Sequence, residues 1–316
     1  MPGARRRALD GNRVRRCPAR TAPNRGLHGR NPPPAVIERD VQIDGIRIHL
    51  AEAGEGRGLI LLHGLSATHA NWEHTIPAFA DRWRVIAPDL PGHGQSAKPD
   101  APYTIDFYAG VIRSLGRELG VREAVVMGNS LGGQIAIELG LSYPTWTRAL
   151  VLAAPAGGFA SAVRTFGWAI GAATGPRLLR LTLPRAVDLC FHDPSLPSCA
   201  ERRRILAERL IAEDYPAFAR AVSRSLAGAI AAGQQPLHRL RQPTLFVWGR
   251  QDRMIGLAGG RRLVHAVRQA RLVVLEKCGH LPMLEQAEEF NRVAAEFLRT
   301  ADAQPLPDAR RVGGGE

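Results

Sequence analysis

The stretch Val125-Val126-Met127-Gly128-Asn129-Ser130-Leu131-Gly132-Gly133 runs from an apolar strand through Gly-x-Ser-x-Gly into a helix. Glycine is needed on both sides of the serine, because the turn between such a strand and helix is strained and leaves little room for neighbouring Cβ atoms. The turn exposes the Ser130 hydroxyl and places the Leu131 amide at a helix N-terminus, where a developing oxyanion is stabilised. Strand, turn and helix together predict that Ser130 is a nucleophile.

A serine hydroxyl is a poor nucleophile at neutral pH and requires a base, which in turn requires an orienting acid. Asp252 follows the apolar run at 244–248, and His280 follows the run at 271–275. Sites of parallel sheets lie outside the carboxyl ends of the strands, where both residues fall. The order Ser, Asp, His therefore predicts a triad with Ser130 as nucleophile, His280 as general base and Asp252 as orienting acid.

The loop after the apolar run at 59–62 is expected to supply a second oxyanion donor. Gly64 allows the backbone to approach closely, and the Leu65 amide is the predicted donor beside that of Leu131. For His63 we favour a structural role under this loop over proton transfer. The predicted substrate contacts are Ser66, Asn129, Trp248 and Leu281.

Apolar runs alternate with helical patterns along most of the chain, starting with a hairpin signal at Asp44-Gly45. This alternation predicts an α/β fold with a mostly parallel sheet and helices on both faces. Helical patterns replace it from about residue 156 to 238, which predicts an inserted helical cap. The predicted organisation is a core at 35–155 and 239–300, a cap at 156–238, a disordered basic tail at 1–34 and a flexible tail at 301–316.

The net charge of +13 is concentrated at the N-terminus. Residues 1–34 hold nine Arg and one acid, 9 − 1 = +8, which leaves 13 − 8 = +5 for the rest of the chain. A basic tail of this kind suits a targeting peptide, a segment that binds nucleic acid without specificity, or a dispensable N-terminus. Because the excess lies chiefly in the tail, we expect no specific nucleic-acid partner.

The four cysteines, Cys17, Cys190, Cys199 and Cys278, are too few for a disulfide scaffold and lack paired metal-ligand spacing. Reduced thiols are the default expectation, and pairing of Cys190 with Cys199 stays open. No segment offers the run of ~18 apolar residues that a membrane span requires. We expect a cytoplasmic protein of undetermined oligomeric state, with no metal ion and no cofactor.

Five motifs carry a resemblance to a known family: His63-Gly64, Asp89-Leu90-Pro91-Gly92-His93-Gly94-Gln95-Ser96, Gly128-Asn129-Ser130-Leu131-Gly132-Gly133, Gly249-Arg250-Gln251-Asp252 and Cys278-Gly279-His280. Over residues 36–300 this set resembles the α/β-hydrolase superfamily, in its branch of capped single-chain esterases and C–C hydrolases. The resemblance implies the triad roles given above and an insertion that acts as a lid. It also implies that the loop from Asp89 to Ser96 is a structural turn without chemistry.

Departures from subfamily patterns narrow the expected reaction. Haloalkane dehalogenases and epoxide hydrolases use a carboxylate nucleophile, whereas this elbow holds Ser130. Proline iminopeptidase-like enzymes usually have Trp where this chain has Leu131. The C–C hydrolases of meta-cleavage pathways share the Asn before the serine, but they usually carry Trp where this chain has Leu281. Carboxylesterases and lipases match best.

The prediction is therefore a carboxylic-ester hydrolase acting through an acyl-enzyme on a small-molecule ester with an apolar acyl part. Two alternatives stay open: a meta-cleavage C–C hydrolase of dienoic diketones, and a ligand-binding receptor that retains the triad with negligible turnover. The apolar residues of the insertion, interspersed with Arg, suit a lid in weak contact with a membrane surface. For most of them we favour burial of the lid on the sheet.

Overall fold

The computed structural model describes residues 34–157, 175–232 and 235–301. The tails predicted at 1–34 and 301–316 lie outside the described residues except for residues 34 and 301, as does the 158–174 part of the predicted cap. Cys190, Cys199 and Cys278 are free thiols, so Cys190 and Cys199 do not pair in this structure.

A single sheet of eight strands, in the order β1-β2-β4-β3-β5-β6-β7-β8, organises the described chain. Strands β1 and β2 are antiparallel to each other, β2 is antiparallel to β4, and β3 to β8 run parallel. The mostly parallel α/β sheet predicted from the sequence is confirmed. The strand bounds are β1 Ile37–Ile43, β2 Ile46–Ala53, β3 Arg57–Leu62, β4 Trp83–Pro88, β5 Ala124–Asn129, β6 Thr147–Ala153, β7 Thr244–Gly249 and β8 Ala270–Leu275.

The first two strands form the hairpin that Asp44-Gly45 predicts. Asp44 has φ 48° and Gly45 has φ 81°, so both central residues of the turn are left-handed. Turns of this kind match the twist of the flanking strands, which is why they join β1 to β2 in register, with Ile43 opposite Ile46.

The helices cover both faces of the sheet and also form a group between β6 and β7. Their bounds are α1 Thr75–Phe79, α2 Ile105–Glu118, α3 Leu131–Ser142, α4 Pro176–Cys190, α5 Pro197–Ile211, α6 Tyr215–Ala231, α7 Leu257–Ala266, α8 Pro282–Glu285 and α9 Ala287–Ala301, with short 3-10 helices at His69–Trp72 and Leu237–Arg239. The last two helices, α8 and α9, are separate because Gln286 leaves helical geometry with φ −132° and ψ 49°.

Side chains of the parallel strands alternate between two apolar cores. Ile60 and Leu62 belong to the core beneath α2, α3 and α7, whereas Leu59 and Leu61 belong to the core beneath α1 and α9. All four are fully buried, as expected for a strand that is covered on both faces. This burial on both sides explains why the strand reads as a continuous apolar run.

Helices α4, α5 and α6 share a smaller apolar cluster that includes Leu183, Leu206 and Phe218. They also contact the sheet domain, since the hydroxyls of Tyr108 in α2 and Ser225 in α6 lie 2.6 Å apart. These three helices fall within the insertion predicted from the sequence.

The strand order places one end of β3 beside the same end of β5. β4, the next strand in sequence, pairs with one edge of β3. β5 pairs with the opposite edge, where Leu62 lies opposite Gly128, so the direction of strand order reverses at β3. Such a reversal opens a crevice at the carboxyl ends of the two strands. The loop that begins at His63 and the turn at Ser130 therefore start next to each other.

Candidate active site

The turn at Ser130 is held in a strained conformation by close packing of glycine backbone. Ser130 has φ 53° and ψ −115°, in a region that non-glycine residues rarely occupy. A Cβ atom on Gly128 would lie 2.3 Å from the carbonyl oxygen of Gly132, and one on Gly132 would lie 2.2 Å from that of Leu62. The two glycines that the motif requires therefore permit both the sharp turn and its contact with β3.

The loop after β3 lies directly against the serine. A Cβ atom on Gly64 would be 3.2 Å from the Ser130 Cβ and 3.1 Å from the Asn129 Oδ1. The next residue, Leu65, lines the same cavity as Ser130, and Leu131 begins α3. The two backbone segments predicted to donate to an oxyanion thus meet at the nucleophile, and their role as donors stays a prediction.

His280 and Asp252 are hydrogen-bonded to each other at the ends of two neighbouring strands. The His280 Nδ1 donates to the Asp252 Oδ2 at 2.8 Å, while the Asp252 Oδ1 accepts from the amides of Met254 and Ile255 at 2.8 and 2.9 Å. Both side chains are almost fully buried. Because the carboxylate fixes the proton on Nδ1, the Nε2 lone pair of a neutral His280 is available to take a proton from a nucleophile.

Ser130 and His280 line one cavity of about 240 Å³ at the carboxyl ends of the strands. Its walls combine the loop after β3, the turn at Ser130, the loops after β7 and β8, and the helices α4 to α6. The lining is mostly apolar, with contributions from Leu65, Leu183, Ala186, Val187, Ile205, Leu206, Leu226, Met254, Ile255 and Leu281. The predicted site residues Ser66, Asn129 and Leu281 lie in this wall.

Asn129 also has a structural role. Its Nδ2 donates to the carbonyl oxygens of Ala153 at 3.1 Å and His280 at 3.0 Å. The side chain therefore fixes the backbone of His280 relative to β5 and β6, and this contribution was not foreseen from the sequence.

The predicted substrate contact at Trp248 is wrong. Trp248 is fully buried in the core on the α7 side, where its Nε1 donates to the carbonyl oxygen of Ile255 at 2.8 Å and its ring covers Gly260. It does not line the cavity. Alternation along β7 turns this side chain toward the helix layer, and its position near the strand end was no guide to its direction.

His63 has the structural contacts that the sequence analysis favoured. Its Nε2 accepts from the Leu90 amide at 2.9 Å, so its Nδ1 donates to the Gly64 carbonyl oxygen at 2.7 Å. Burial lowers the pKa of His63, which keeps the imidazole neutral. The residue thereby ties the loop after β3 to the loop after β4, and both nitrogens are occupied.

Arg202 is a site residue that the sequence analysis missed. It extends from α5 into the cavity wall and is only 8% exposed. Its Nη1 donates to the Asn71 Oδ1 at 3.3 Å and its Nη2 to the Glu73 Oε1 at 2.9 Å, while its buried Nε has no hydrogen-bond partner. Burial lowers the pKa of Arg202, and Glu73 opposes that shift, so the guanidinium stays charged. In the sequence it is one of three consecutive arginines on an amphipathic helix, a pattern typical of a solvated surface.

Comparison with known proteins is consistent with this architecture. Residues 59–293 match the model of the alpha/beta hydrolase family. The chain belongs to that family. A 2-hydroxymuconate semialdehyde hydrolase from Pseudomonas sp. (strain CF600) is 32% identical over 277 residues, which cover 85% of this chain and 96% of the relative.

Two solved structures resemble most of the chain. One is a 2-hydroxy-6-oxo-6-phenylhexa-2,4-dienoate hydrolase from Rhodococcus sp. strain RHA1, with 27% identity, a TM-score of 0.72, and coverage of 84% of this chain and 99% of the other. The second is a membrane phospholipase A described as a bacterial virulence factor, with 26% identity, a TM-score of 0.71, and coverage of 85% and 87%. Among the described helices, none is long and apolar enough to cross a membrane.

Proposed function

We propose that this chain is a serine hydrolase that cleaves carboxylic esters through an acyl-enzyme on Ser130. The observation that carries the proposal is the convergence of Ser130 and His280, with His280 held by Asp252 at 2.8 Å, in one mostly apolar cavity. A hydroxyl, an oriented imidazole and two candidate oxyanion amides are the groups that acyl transfer needs. An apolar wall suits the acyl part of an ester.

The reaction follows from this arrangement. The Ser130 Oγ attacks the ester carbonyl and transfers its proton to the His280 Nε2, while the Leu65 and Leu131 amides donate to the oxyanion. Collapse of this intermediate breaks the bond to the alkoxy oxygen, which leaves as the alcohol with the proton from His280. Water then attacks the acyl-enzyme, His280 takes its proton and returns it to Ser130, and the acid is released.

Arg202 adds a preference for substrates that carry an acidic group. A buried guanidinium nitrogen without a partner costs free energy, and because Arg202 lines the cavity, a substrate carboxylate is a group that would satisfy it with a charge-assisted hydrogen bond. The cavity that the described residues line has a volume of about 240 Å³. We therefore expect small esters of a short apolar chain, and among them those bearing a free carboxylate, to be preferred.

The test is turnover of 4-nitrophenyl esters from acetate to a long acyl chain by the parent protein and Ser130→Ala. Ser142→Ala is the matched control, since Ser142 is an exposed serine at the far end of α3 and does not line the cavity. Turnover that Ser130→Ala abolishes and Ser142→Ala retains supports the proposal. Equal rates for the parent and Ser130→Ala would exclude Ser130 as the nucleophile.

A second candidate is hydrolysis of a carbon–carbon bond in a dienoic diketone. Arg202 favours it because such substrates carry a carboxylate, and similar chains are named as hydrolases of 2-hydroxymuconate semialdehyde and of a phenylhexadienoate. This candidate comes second because Leu281 follows His280 in this chain, where meta-cleavage C–C hydrolases usually carry Trp. A 2-hydroxy-6-oxohexa-2,4-dienoate substrate loses its conjugated absorbance on cleavage. A kcat/KM on that substrate far above that on any ester would make this the function.

A further inference from the structure

A second group of chemically active side chains lies outside the catalytic cavity, on the antiparallel edge of the sheet. It consists of Glu38 in β1, His49 in β2 and His69 at the start of the first 3-10 helix. The His49 Nε2 is 3.4 Å from one carboxylate oxygen of Glu38, and the His69 Nε2 is 3.5 Å from the other. One atom from each of the three residues lies within 4.8 Å of both of the others.

These distances are close to those of a metal centre. Two ligands that each lie about 2.1 Å from a tetrahedral metal ion are about 3.4 Å apart. Each Nε2 lies at that spacing from its nearer Glu38 oxygen, and one oxygen and the two Nε2 atoms all lie within 4.8 Å of one another, so binding requires the three side chains to contract around the ion. Two imidazoles and one carboxylate form a ligand set that suits Zn²⁺ and leaves a coordination position for water.

The outer hydrogen bonds orient both rings in the required way. The Nδ1 of His49 is 2.9 Å from the Asp40 Oδ1, and the Nδ1 of His69 is 2.9 Å from the Asp89 Oδ1. A carboxylate that accepts from Nδ1 directs the Nε2 lone pair toward the metal and raises its basicity. This carboxylate–histidine arrangement occurs on both rings, and the two Nε2 atoms face the same glutamate.

Charge and access favour a dication. The three carboxylates of Glu38, Asp40 and Asp89 surround the two imidazoles. Arg47 of the same hairpin contacts one of these carboxylates, that of Asp40, at 3.1 Å. The His49 and His69 side chains are only 10% and 12% exposed, whereas Glu38 is 43% exposed and leaves a path from solvent. Besides Glu38, the Gln95 amide contacts the His49 Nε2 at 3.1 Å, and a metal ion would displace it.

We propose that Glu38, His49 and His69 bind a Zn²⁺-class divalent cation through one carboxylate oxygen and the two Nε2 atoms. The bound ion would link the β1–β2 hairpin to the segment that follows the loop after β3. That segment also carries Thr68 and Asn71 of the cavity wall. Occupancy would therefore stiffen one side of the catalytic cavity without supplying a reacting group.

The test is calorimetric titration of the full chain, prepared without a polyhistidine tag and freed of metal by chelator, with zinc chloride. We expect one site of micromolar or tighter affinity, weakened at least tenfold in Glu38→Gln and unchanged in Glu55→Gln. Glu55 is an exposed glutamate just beyond β2 and serves as the matched control. Equal affinity of the parent and Glu38→Gln, or no binding by the parent, overturns the proposal and leaves an ion-pair network.

A second measurement does not depend on the folding of a variant. Co²⁺ added to the metal-free parent should give the visible absorption bands of a tetrahedral complex, and one equivalent of Zn²⁺ should remove them. Absence of these bands also overturns the proposal. Neither readout uses ester turnover, so the outcome is independent of the proposed function.

Discussion

Arg202 provides a direct test of how the cavity selects its substrates. Replacing it with Met preserves length and apolar packing but removes the guanidinium whose Nε has no partner. Glu73, which bonds Nη2, has a side chain that is 41% exposed, so water can satisfy it in the variant. The buried Asn71 Oδ1 also loses its donor, Nη1, which should lower stability by about 1–3 kcal/mol. The recognition of anionic substrates should change in addition, and comparison with a neutral ester separates the two effects.

The magnitude follows from one lost hydrogen bond to a charged group. Such a bond contributes about 1.5–3 kcal/mol, and each 1.36 kcal/mol, roughly, is a factor of ten in rate. In Arg202→Met, we therefore expect kcat/KM for an ester with a free carboxylate to fall by about 10- to 150-fold. For a neutral ester of the same length the change should be small, because no charged partner is lost.

The assay compares a neutral 4-nitrophenyl alkanoate with the 4-nitrophenyl half-ester of a dicarboxylic acid of equal chain length. Arg204→Met is the matched control, since Arg204 lies on the same helix but is exposed and paired with Glu201 and Glu208. An equal loss on both esters in Arg202→Met would show that Arg202 acts through packing. No loss on the anionic ester would refute the assignment of an acid-binding position.

Three further outcomes are expected. Gly132→Ala should destabilise the protein by about 1–3 kcal/mol in urea unfolding and reduce activity, because its Cβ would lie 2.2 Å from the Leu62 oxygen. Gly110 has open space around it, so Gly110→Ala should be neutral or stabilising. A similar effect of the two substitutions would contradict the packing argument. Burial, together with His63, lowers the pKa of His93 to about 3 from its ordinary 6.5. As pH falls, His93 is therefore protonated in the unfolded chain before it is protonated in the folded protein, and the folded state loses stability below pH 6.5. Between about pH 7.5 and about 5.5 this group should remove about 1.4 kcal/mol, and His93→Gln should lack that part of the slope; identical slopes would contradict it. Burial raises the pKa of Cys190, which lines the cavity, to about 12. Iodoacetamide near neutral pH should therefore leave ester turnover intact. Rapid inactivation that Cys190→Ala prevents would instead show an accessible thiolate.

Local patterns sufficed for the sheet, and they were enough to propose Ser130, Asp252 and His280 as a triad. The continuous apolar run from Leu59 to Leu62 predicts a fully buried strand, since both faces of a central parallel strand are covered. Asp44-Gly45 reports a turn because both residues tolerate positive φ. Ser130 is predicted to be a nucleophile from the glycines two positions away on each side, because close backbone packing leaves no room for Cβ atoms there.

Directions of side chains and partners distant in sequence could not be obtained in this way. Trp248 is adjacent to the end of β7, but whether it faces the cavity or α7 depends on how the strand is oriented between two layers. Arg202 meets Asn71 across 131 positions of sequence, and no local pattern reports such a contact. The second role of Asn129, holding the His280 backbone, likewise depends on the packing of two loops.

The sequence by itself determined the mostly parallel α/β sheet and the strained serine turn, and it predicted the triad of Ser130, Asp252 and His280, because each depends on spacing within a few residues. Only the tertiary structure decided the content of the cavity wall and the convergence of Glu38, His49 and His69. These features join segments that the reversal of strand order and the β1–β2 hairpin bring together. Their energies depend on burial and on opposing charges, neither of which exists until the chain has folded.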